Sequence, residues 1–309
     1  MDKKVERIIN IYNRIILGEV ISKSVEARRF AVTEKSIQRD LNDIRTYFAS
    51  DRTSGRQLVY ERKMRGYRMI QKNPDTLTNS EILTVCKILL ESRSLVREEM
   101  MPIIDKLVKG CVPYDQYQKV SRLIANEKYH YIEPHHGRKY VEMMWEIATA
   151  VYEHRLLRIR YRKLKESEPV SRLVQPVGLM FSEYYFYLCA YICQSEENPD
   201  FPKYDFPATY RIDRIDSYEI LKEHFTIPYA NRFEEGEFRK RIQFMFGGEL
   251  RKIRFKYTGL SIEAVLDRLP TAEIVDHDET GWTVEAEVYG DGVEMWIRSQ
   301  GENVVLVAE

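Results

Sequence analysis

Cysteine is scarce in this sequence, and its spacing excludes two common roles. The four cysteines among 309 residues are Cys86, Cys111, Cys189 and Cys193, and no two of them have the CxxC spacing of a zinc site. Four in a chain of this length do not make a disulfide framework either. We therefore expect reduced thiols that are buried in the protein core.

Long apolar runs are missing as well. The sequence has no run of about 18 apolar residues that could span a membrane. Its amino terminus is charged where a signal peptide would be continuously apolar. These absences predict a cytoplasmic protein without a membrane segment.

Catalytic motifs are also absent. There is no P-loop, no cluster of carboxylates for a metal ion and no nucleophile paired with a base. His135 and His136 stand together in a turn bounded by Pro134 and Gly137, but no further metal ligand follows at a defined spacing. The sequence predicts no catalytic residue, no metal site and no cofactor. An enzyme acting on nucleotides or nucleic acid is a less favoured alternative.

Charge is unevenly distributed, although the chain carries no net charge. Residues 1–72 hold 17 Lys and Arg against 9 Asp and Glu, so the rest of the chain is correspondingly acidic. A basic amino-terminal block indicates a module that faces a polyanion, although a solvated basic face would have the same composition.

Two helices are predicted at the start of this basic block. Apolar residues recur at helical spacing from Val5 to Ile16, and Gly18 follows as a terminator. The stretch KSVEARRF then predicts a short second helix with Val25 and Phe30 as its core residues.

A third helix begins with TEKSIQRDLNDI and extends to about residue 48. Thr33 is its predicted cap, and Ile37, Leu41 and Ile44 share one inward face. Two short helices joined by a tight turn match the helix-turn-helix arrangement, whose second helix lies in the major groove. The exposed side chains with donors for bases or phosphates are Lys35, Ser36, Gln38, Arg39 and Asn42. The alternative is a solvated face on which Arg39 pairs with Asp43.

A basic hairpin is predicted directly after this helix. QLVYERKMRGYRMI, residues 57–70, alternates around a basic tip. A hairpin in this position is the wing of a winged helix and reaches phosphates beside the groove. Its predicted DNA contacts are Arg62, Lys63 and Arg65.

The run SIQRDLNDI, followed by GYRM in the second hairpin strand, resembles the amino-terminal domain of the DeoR-like bacterial regulators over most of residues 1–72. In that family a hydroxyl-Ile-Gln-Arg-Asp-Leu run marks the recognition helix. The resemblance implies a winged helix-turn-helix domain that binds duplex DNA.

A helical linker is predicted over residues 73–136. Pro74 breaks the preceding pattern, and Thr78 or Ser80 starts a new helix. Apolar residues at helical spacing continue to about residue 127, interrupted by Pro102 and Pro113. A few short helices are therefore expected, with apolar stripes that form core or dimer contacts.

Beyond this linker the apolar pattern changes from helical to strand period. Residues 139–153 predict one more helix, with Val141, Trp145, Ala148 and Tyr152 facing inward. Short strands follow, and the second bends around Pro176. These strands, which predict a small antiparallel sheet or barrel, are LLRIRY, SRLVQPVGLM, YYFYLCAYI and TYRIDRI.

This order of helix and strands resembles the WYL domain, an Sm-like small barrel found behind DeoR-type winged helices, and assigns it to residues 137–225. Its name-giving Trp-Tyr-Leu falls on Phe186, Tyr187 and Leu188, with phenylalanine in place of tryptophan. The resemblance implies that the barrel senses a single-stranded nucleic acid or a nucleotide-like effector. The candidate ligand-binding residues are Arg172, Phe186, Tyr187, Arg211 and Arg214.

Two of these arginines pose a geometric problem. Arg211 and Arg214 are three residues apart, so in a regular strand they would point to opposite faces. Only a bulge or a strand end would bring both to one pocket. The alternative is that Arg214 pairs with Asp213 or Asp216 and has a structural role.

Residues 237–309 predict the order strand, helix, strand, strand, helix, strand, which is a ferredoxin-like split β-α-β unit. This part resembles the carboxyl-terminal extension, termed WCX, that commonly follows the WYL domain, including a Gly-bounded helix with Trp296. Its acidic balance suits packing on a partner subunit better than binding a phosphate.

Together these features predict an α+β multidomain transcription regulator. The winged helix would bind a palindromic double-stranded operator as a homodimer, because one short helix reads too few base pairs. Effector binding at the barrel would shift the dimer between states of different DNA affinity. The alternative is a nucleic-acid-binding accessory or regulator of a phage-defence or CRISPR system.

Overall fold

The computed structural model describes residues 3–50, 55–71, 77–112, 114–164, 166, 168–227 and 232–307. Within these ranges the chain combines α-helices with antiparallel sheets, which places it in the α+β class. It divides into two compact units, Met1–Glu133 and Pro134–Glu309. The finer division into four domains stays a prediction. No helix in the described ranges is both long and apolar enough to cross a bilayer.

The first unit begins with three helices and a hairpin. Their bounds are α1 Lys3–Ile16, α2 Lys23–Arg29, α3 Glu34–Ser50, β1 Arg56–Glu61 and β2 Gly66–Gln71. The predicted inward residues Ile37, Leu41 and Ile44 are buried, because their spacing places them on one face of α3. The Thr33 hydroxyl accepts a hydrogen bond from the Ser36 amide at 3.2 Å, which confirms the predicted cap.

The inward face of α2 differs from the prediction. Val25 is 50% exposed, and the buried positions are Glu26 and Ala27. Phe30 packs against the core as predicted. The helix has only seven residues, so its apolar pattern is too short to fix which face turns inward.

Two buried ion pairs join α1 to the helices that follow. Arg7 Nε donates to Asp40 Oδ2 at 2.6 Å, and Arg14 Nη1 donates to Glu26 Oε2 at 2.8 Å. Both carboxylates are 1% exposed, so each depends on its arginine for compensation of its charge. These pairs orient α2 and α3 against α1.

The first unit continues with the helices α4 Asn79–Ser92, α5 Arg97–Cys111 and α6 Tyr114–Tyr129. Thr78 and Glu81 form a capping box at the start of α4, which confirms Thr78 as the restart position. Pro74 and Pro113 lie outside the described residues.

The predicted break at Pro102 is wrong, because α5 runs through this residue. Proline removes one helical hydrogen bond. The buried side chains of Met100, Ile104 and Val108 hold the helix in place on both sides of the proline. Their burial outweighs the lost bond.

The second unit begins with α7 Val141–Tyr152 and a five-stranded antiparallel sheet. The strands are β3 Arg155–Tyr161, β4 Val170–Ser182, β5 Tyr185–Ile192, β6 Ala208–Arg211 and β7 Ile215–His224. They lie in the order β6-β5-β4-β3-β7, and the predicted bend in β4 is a register shift between Pro176 and Gly178.

This sheet curls so that its two outer strands approach each other. The edge strands β6 and β7 are joined by a single 3-10 turn, Ile212–Arg214. The Tyr161 ring on β3 also contacts the Tyr210 ring on β6, with centroids 5.0 Å apart. A flat sheet of this order would hold β6 and β7 four strand spacings apart, so the sheet must bend into a small barrel.

Helix α7 covers the barrel with a different face from the predicted one. Ile147 and Ala150 are buried, whereas Trp145 is 71% exposed and Tyr152 is 87% exposed. Both faces of this helix carry apolar side chains, so the sequence pattern does not decide which face meets the sheet.

Replacing Ile147 with alanine should therefore lower the free energy of unfolding by about 2–5 kcal/mol, because it leaves a cavity between α7 and the barrel. Trp145→Ala, on the exposed face, should change it by less than about 0.5 kcal/mol. Urea unfolding of the two variants measures this difference. A larger loss in Trp145→Ala than in Ile147→Ala would instead support the orientation predicted from the sequence.

The second unit ends with a short helix and a four-stranded antiparallel sheet under two helices. The elements are α8 Glu235–Arg241, β8 Leu250–Tyr257, α9 Ile262–Arg268, β9 Glu273–Asp278, β10 Gly281–Tyr289, α10 Gly292–Ser299 and β11 Val304–Leu306. From β8 onwards the predicted order of elements is found. The strand order is β11-β8-β10-β9, and Phe255 and Trp296 meet in the core between sheet and helices.

The cysteines are not all buried. Cys86, Cys189 and Cys193 are, as predicted, but Cys111 at the end of α5 is exposed. Burial raises the pKa of Cys189 to about 12 and that of Cys193 to about 11. These two thiols are therefore neutral and unreactive near pH 7.

Candidate functional sites

The outer face of α3 presents the side chains of Lys35, Arg39 and Asn42 to solvent. In the part of the chain that the structure describes, the Arg39 guanidinium has no hydrogen bond and no ion pair. Its predicted alternative partner, Asp43, instead pairs with Lys4 at 3.1 Å. The alternative pairing is thus wrong, and Arg39 is available to a ligand.

Both the oxygen and the nitrogen of the Gln38 side-chain amide form hydrogen bonds within the protein. Its oxygen accepts a hydrogen bond from the Tyr67 hydroxyl at 2.9 Å, and its nitrogen donates to Asn42 Oδ1 at 3.1 Å. Pairing of this amide with an adenine would require exchange of these bonds. Ser36 is tied to the helix cap through a 3.0 Å contact between its hydroxyl and that of Thr33.

Tyr67 and Arg45 complete this network, and the sequence pattern did not single them out. The Arg45 guanidinium lies over the Tyr67 ring at 5.8 Å and also donates to Asn42 at 3.4 Å. Tyr67 in turn exchanges two backbone hydrogen bonds of 2.8 Å with Ile21. The hairpin is thereby fixed against both α3 and the segment before α2.

Gly66 allows this close approach of the hairpin. A Cβ atom at this position would lie 2.5 Å from Val20 Cγ1 and 3.0 Å from the Ile21 carbonyl oxygen. No other residue fits without displacing one of the two segments. The Gly-Tyr pair of GYRM therefore has a structural reason: glycine permits the contact and tyrosine reaches α3.

The hairpin tip carries three exposed cations, Arg62, Lys63 and Arg65. Across the described residues, none of these side chains forms a hydrogen bond or an ion pair. Arg65 has a φ of 49°, so the turn holds a non-glycine residue in the left-handed region. The tip is thus a concentrated positive charge available to a polyanion.

A second basic cluster lies on the barrel. Tyr185 and Tyr187 project from the same face of β5, since they are two residues apart. Tyr187 is the cross-strand neighbour of Arg211, and both Arg211 and Arg214 act electrostatically on its hydroxyl. The 3-10 turn ends β6 at Arg211, so the two arginines are not held to opposite faces of one strand.

Arg211 is held rigidly in this cluster. Its Nε and Nη2 atoms donate to the two oxygens of Asp213 at 3.0 and 2.8 Å. Its guanidinium carbon lies 3.3 Å from the centroid of the Tyr185 ring. Burial is the largest single influence on the pKa of Arg211 and lowers it, but the hydrogen bonds and charge interaction with Asp213, together with the nearby Tyr185 and Tyr187, outweigh burial in sum, so the pKa is raised.

The Tyr187 hydroxyl is neutral and lies near the guanidinium groups of Arg211 and Arg214. Burial raises its pKa above the ordinary value, and the nearby Arg211 and Arg214 oppose that shift only in part. At neutral pH the side chain can therefore donate a hydrogen bond to an anionic group.

The structure does not bring two predicted ligand-binding residues into this cluster. Arg172 shares a face of β4 with Val174, which packs in the barrel core with Tyr210. Phe186 projects from the opposite face of β5 to Tyr185 and Tyr187, and it contacts Phe181 at 5.1 Å. The binding roles of all residues in the cluster stay predictions.

Two further arginines, Arg138 and Arg162, surround the 3-10 turn. Arg138 Nη1 donates to the Asp213 carbonyl oxygen at 3.0 Å, and Arg162 Nη2 donates to Asp216 Oδ2 at 2.9 Å. Both carboxylates near Arg214 are thus bound by other arginines, so the alternative pairing of Arg214 is wrong. Within the described chain the Arg214 guanidinium forms no hydrogen bond and no ion pair.

No group of three or more His, Cys, Asp or Glu side chains in the described residues could hold a metal ion. His136 instead takes part in its own turn, where its Nδ1 accepts a hydrogen bond from the Arg138 amide at 3.0 Å.

The barrel is also recognised by comparison with known families. Residues 142–220 match the family model of the WYL domain. The match runs from α7 into β7, so it includes most of the curled sheet and the basic cluster around the 3-10 turn. No curated protein gives a significant match to the chain.

Two solved structures are similar at low identity. The first is the proteasome accessory factor B/C (PafBC) of Arthrobacter aurescens, with 17% identity and a TM-score of 0.29 over 94% of this chain. The chain spans 43% of that protein. The second is a CRISPR Cas-related protein, with 13% identity and a TM-score of 0.36, covering 77% of this chain and 70% of that one. Both TM-scores are too low to show a shared fold for the whole chain.

The Tyr67 hydroxyl should control how α3 presents Gln38. In Tyr67→Phe the Gln38 oxygen loses its partner, so we expect a stability loss of about 0.5–1.5 kcal/mol and an amide free to rotate. NMR relaxation of the Gln38 side-chain amide measures this gain in mobility. Tyr60→Phe, which alters an exposed hydroxyl on the same hairpin, is the control and should leave the Gln38 amide as in the wild type.

Proposed function

We propose that this protein is a DNA-binding transcription regulator whose WYL domain senses a nucleic-acid or nucleotide-like effector. The amino-terminal helices and hairpin would act as a winged helix-turn-helix domain, with α3 in the major groove and the hairpin tip beside it. The chain would act as a homodimer on a palindromic operator. No catalytic step is part of this proposal.

The exposed cations of the first unit carry the proposal. Arg39 on α3 and the three cations of the hairpin tip lie in a module whose parts are joined through Tyr67 and Gln38. Each of these cations is exposed, and none forms a hydrogen bond or ion pair within the described ranges. Fixed geometry and unneutralised charge are what a protein needs to place donors on a duplex.

The effector part of the proposal rests on the basic cluster of the WYL domain. Arg214 provides a guanidinium without a protein partner among the described residues, and Arg211 is pre-oriented by Asp213 and Tyr185. Arginine binds phosphate through two parallel hydrogen bonds, and tyrosine rings stack on bases. A single-stranded nucleic acid or a nucleotide offers both groups.

Selection of duplexes by the full-length protein tests the proposed function. After incubation with a random pool and sequencing of the retained DNA, we expect a palindrome whose half-sites are about 10 base pairs apart or a multiple of that. Retention of single strands without any enriched duplex would contradict the regulator and would favour the accessory role in a defence system.

A further inference from the structure

A groove of about 370 Å³ lies between α9 and α10, on the helix-covered side of the carboxyl-terminal sheet. Its floor is formed by Val265, Tyr257 and Trp296, and Ala264 and Ser299 stand at its rim. Its volume falls within the range of small-molecule sites. Nothing in the proposed regulator uses this groove.

Arg268 closes one end of the groove and is held in a defined position. Its Nη1 donates to Glu183 Oε1 at 3.1 Å, and its guanidinium carbon lies 4.7 Å from the centroid of the Phe244 ring. The side chain is one-third exposed, at 33%. One carboxylate therefore orients this guanidinium, and the guanidinium keeps further N–H donors besides the one bound to Glu183 at the edge of the groove that Arg268 lines.

The same arrangement occurs at Arg211 in the WYL domain. There too a carboxylate, Asp213, orients the guanidinium while an aromatic ring, Tyr185, lies beneath it. The two sites are neighbours, because Glu183 precedes Tyr185 by only two residues in the tight turn between β4 and β5. The Cα atoms of Glu183 and Tyr185 can therefore be at most about 7 Å apart.

The surface between the two arginines is aromatic. Tyr184 lies between Glu183 and Tyr185, is 45% exposed, and its ring contacts that of Tyr185 at 6.4 Å. A path therefore leads from Arg268 past Tyr184 to Arg211. Arginines at both ends of an exposed aromatic segment match the pattern by which proteins track a single strand.

We propose that the groove between α9 and α10 binds one nucleotide unit of a single-stranded nucleic acid that also binds the WYL cluster. Its phosphate would accept hydrogen bonds from Arg268, and its base would enter the groove toward Tyr257 and Trp296. This proposal rests on the proposed effector class and extends it, because it requires an oligonucleotide and not a mononucleotide.

The charges at the groove are compatible with this ligand. Glu183 and Arg268 are the charged residues that line it, and Gln300 and Ser299 add uncharged polar groups. Glu183 neutralises Arg268 only in part, since the pair is accessible to water. A phosphate therefore gains a charged donor, and the base gains an apolar floor.

Titration of the full-length protein with a fluorescent single-stranded oligothymidine of roughly 12 nucleotides tests this site. Arg268→Gln should weaken binding about tenfold, which is the effect of one lost charged hydrogen bond. For Arg268→Gln, a plot of the logarithm of the oligothymidine binding constant against the logarithm of the salt concentration should have a slope that is shallower by about 0.7, as expected for one lost phosphate contact on a single strand. Ala264→Phe fills the groove without changing charge and should weaken binding as well.

Arg254→Gln is the matched control. It removes the same charge from β8 in the same unit, where Arg254 pairs with Glu285 at 3.5 Å, and it should bind like wild type. Wild-type affinity in both Arg268→Gln and Ala264→Phe, with weaker binding in Arg214→Gln, would overturn this inference and leave the proposed effector site standing. An equal loss in Arg254→Gln would overturn it too. Absence of any binding by the wild type would overturn the effector class itself.

Discussion

Arg39→Gln should lower the affinity for the selected operator by about 10- to 100-fold, which corresponds to the loss of one specific arginine contact. Arg39 is exposed on α3 and forms no hydrogen bond or ion pair within the described residues, so its removal breaks no such interaction there. Binding to unrelated duplexes should weaken far less, because that binding depends on total charge. Gel shifts with the operator and with a scrambled duplex measure the two effects.

Arg122→Gln provides the matched control for this experiment. Arg122 lies on α6 of the same unit, is exposed and has no ion pair in the described chain, so the change in net charge is identical. We expect operator affinity within about twofold of wild type, since a single distant charge is screened at physiological salt. Unchanged operator binding by Arg39→Gln would remove this residue from the interface.

Asp40→Ala should destabilise the helices that carry the proposed DNA interface by about 3–5 kcal/mol. The substitution removes the carboxylate that binds Arg7 at 2.6 Å, and the Arg7 side chain is only 12% exposed. Breaking one side of a buried ion pair leaves an uncompensated charge in an apolar environment. The loss is comparable to the whole stability of a small domain, so α3 should open readily.

Asp43→Ala on the same helix is the control for that loss. Asp43 is about half exposed and pairs with Lys4 at 3.1 Å on the surface, so its removal should cost less than about 1 kcal/mol. All three tryptophans lie beyond residue 133, so their fluorescence does not report on this unit. Hydrogen exchange of the amides of residues 34–50 measures the effect directly, and equal protection in both variants would refute the buried pair.

Asp40 gives the SIQRDL run of α3 a structural explanation. In SIQRDL the isoleucine and leucine pack in the core, the aspartate binds Arg7 of α1, and the arginine faces solvent. The run therefore combines core positions, a buried ion-pair position and a solvent-facing position. The ion pair with Arg7 fixes the rotation of α3, and that rotation decides which side chains can face a duplex.

Local elements of this protein follow from its sequence. The bounds of α1 and α3, the basic tip between β1 and β2, and the barrel strands β3, β4 and β5 agree with the sequence pattern, because apolar periodicity and turn residues act within a few positions. The prediction of TYRIDRI as one strand is wrong: the segment divides into the end of β6, a 3-10 turn and the first residue of β7, and the strand β7 was not predicted. The family model likewise matches the barrel at residues 142–220, inside the predicted range of 137–225.

The face of an element that turns inward was less predictable. In α7 the sequence offers Trp145 and Tyr152 on one side and Ile147 and Ala150 on the other, and large aromatic residues led to the wrong choice. On β5 the name-giving motif pointed to Phe186, whereas strand alternation places Tyr185 with Tyr187. Counting by twos from Tyr187 would have identified Tyr185 from the sequence.

The sequence by itself determined the amino-terminal helices and hairpin, the strands β3 to β5, the order of elements from β8 onwards, the basic amino-terminal block and the arginine-rich segment of the barrel. Only the tertiary structure decided which distant side chains form hydrogen bonds with each other. These pairs are Arg7 with Asp40, Tyr67 with Gln38, and Arg268 with Glu183, and their members are 33, 29 and 85 residues apart in the sequence. The tertiary structure also separated Arg211 from Arg214 by a 3-10 turn. Hydrophobic periodicity is a local property of the chain, whereas an ion pair or hydrogen bond between distant residues depends on how the whole core packs.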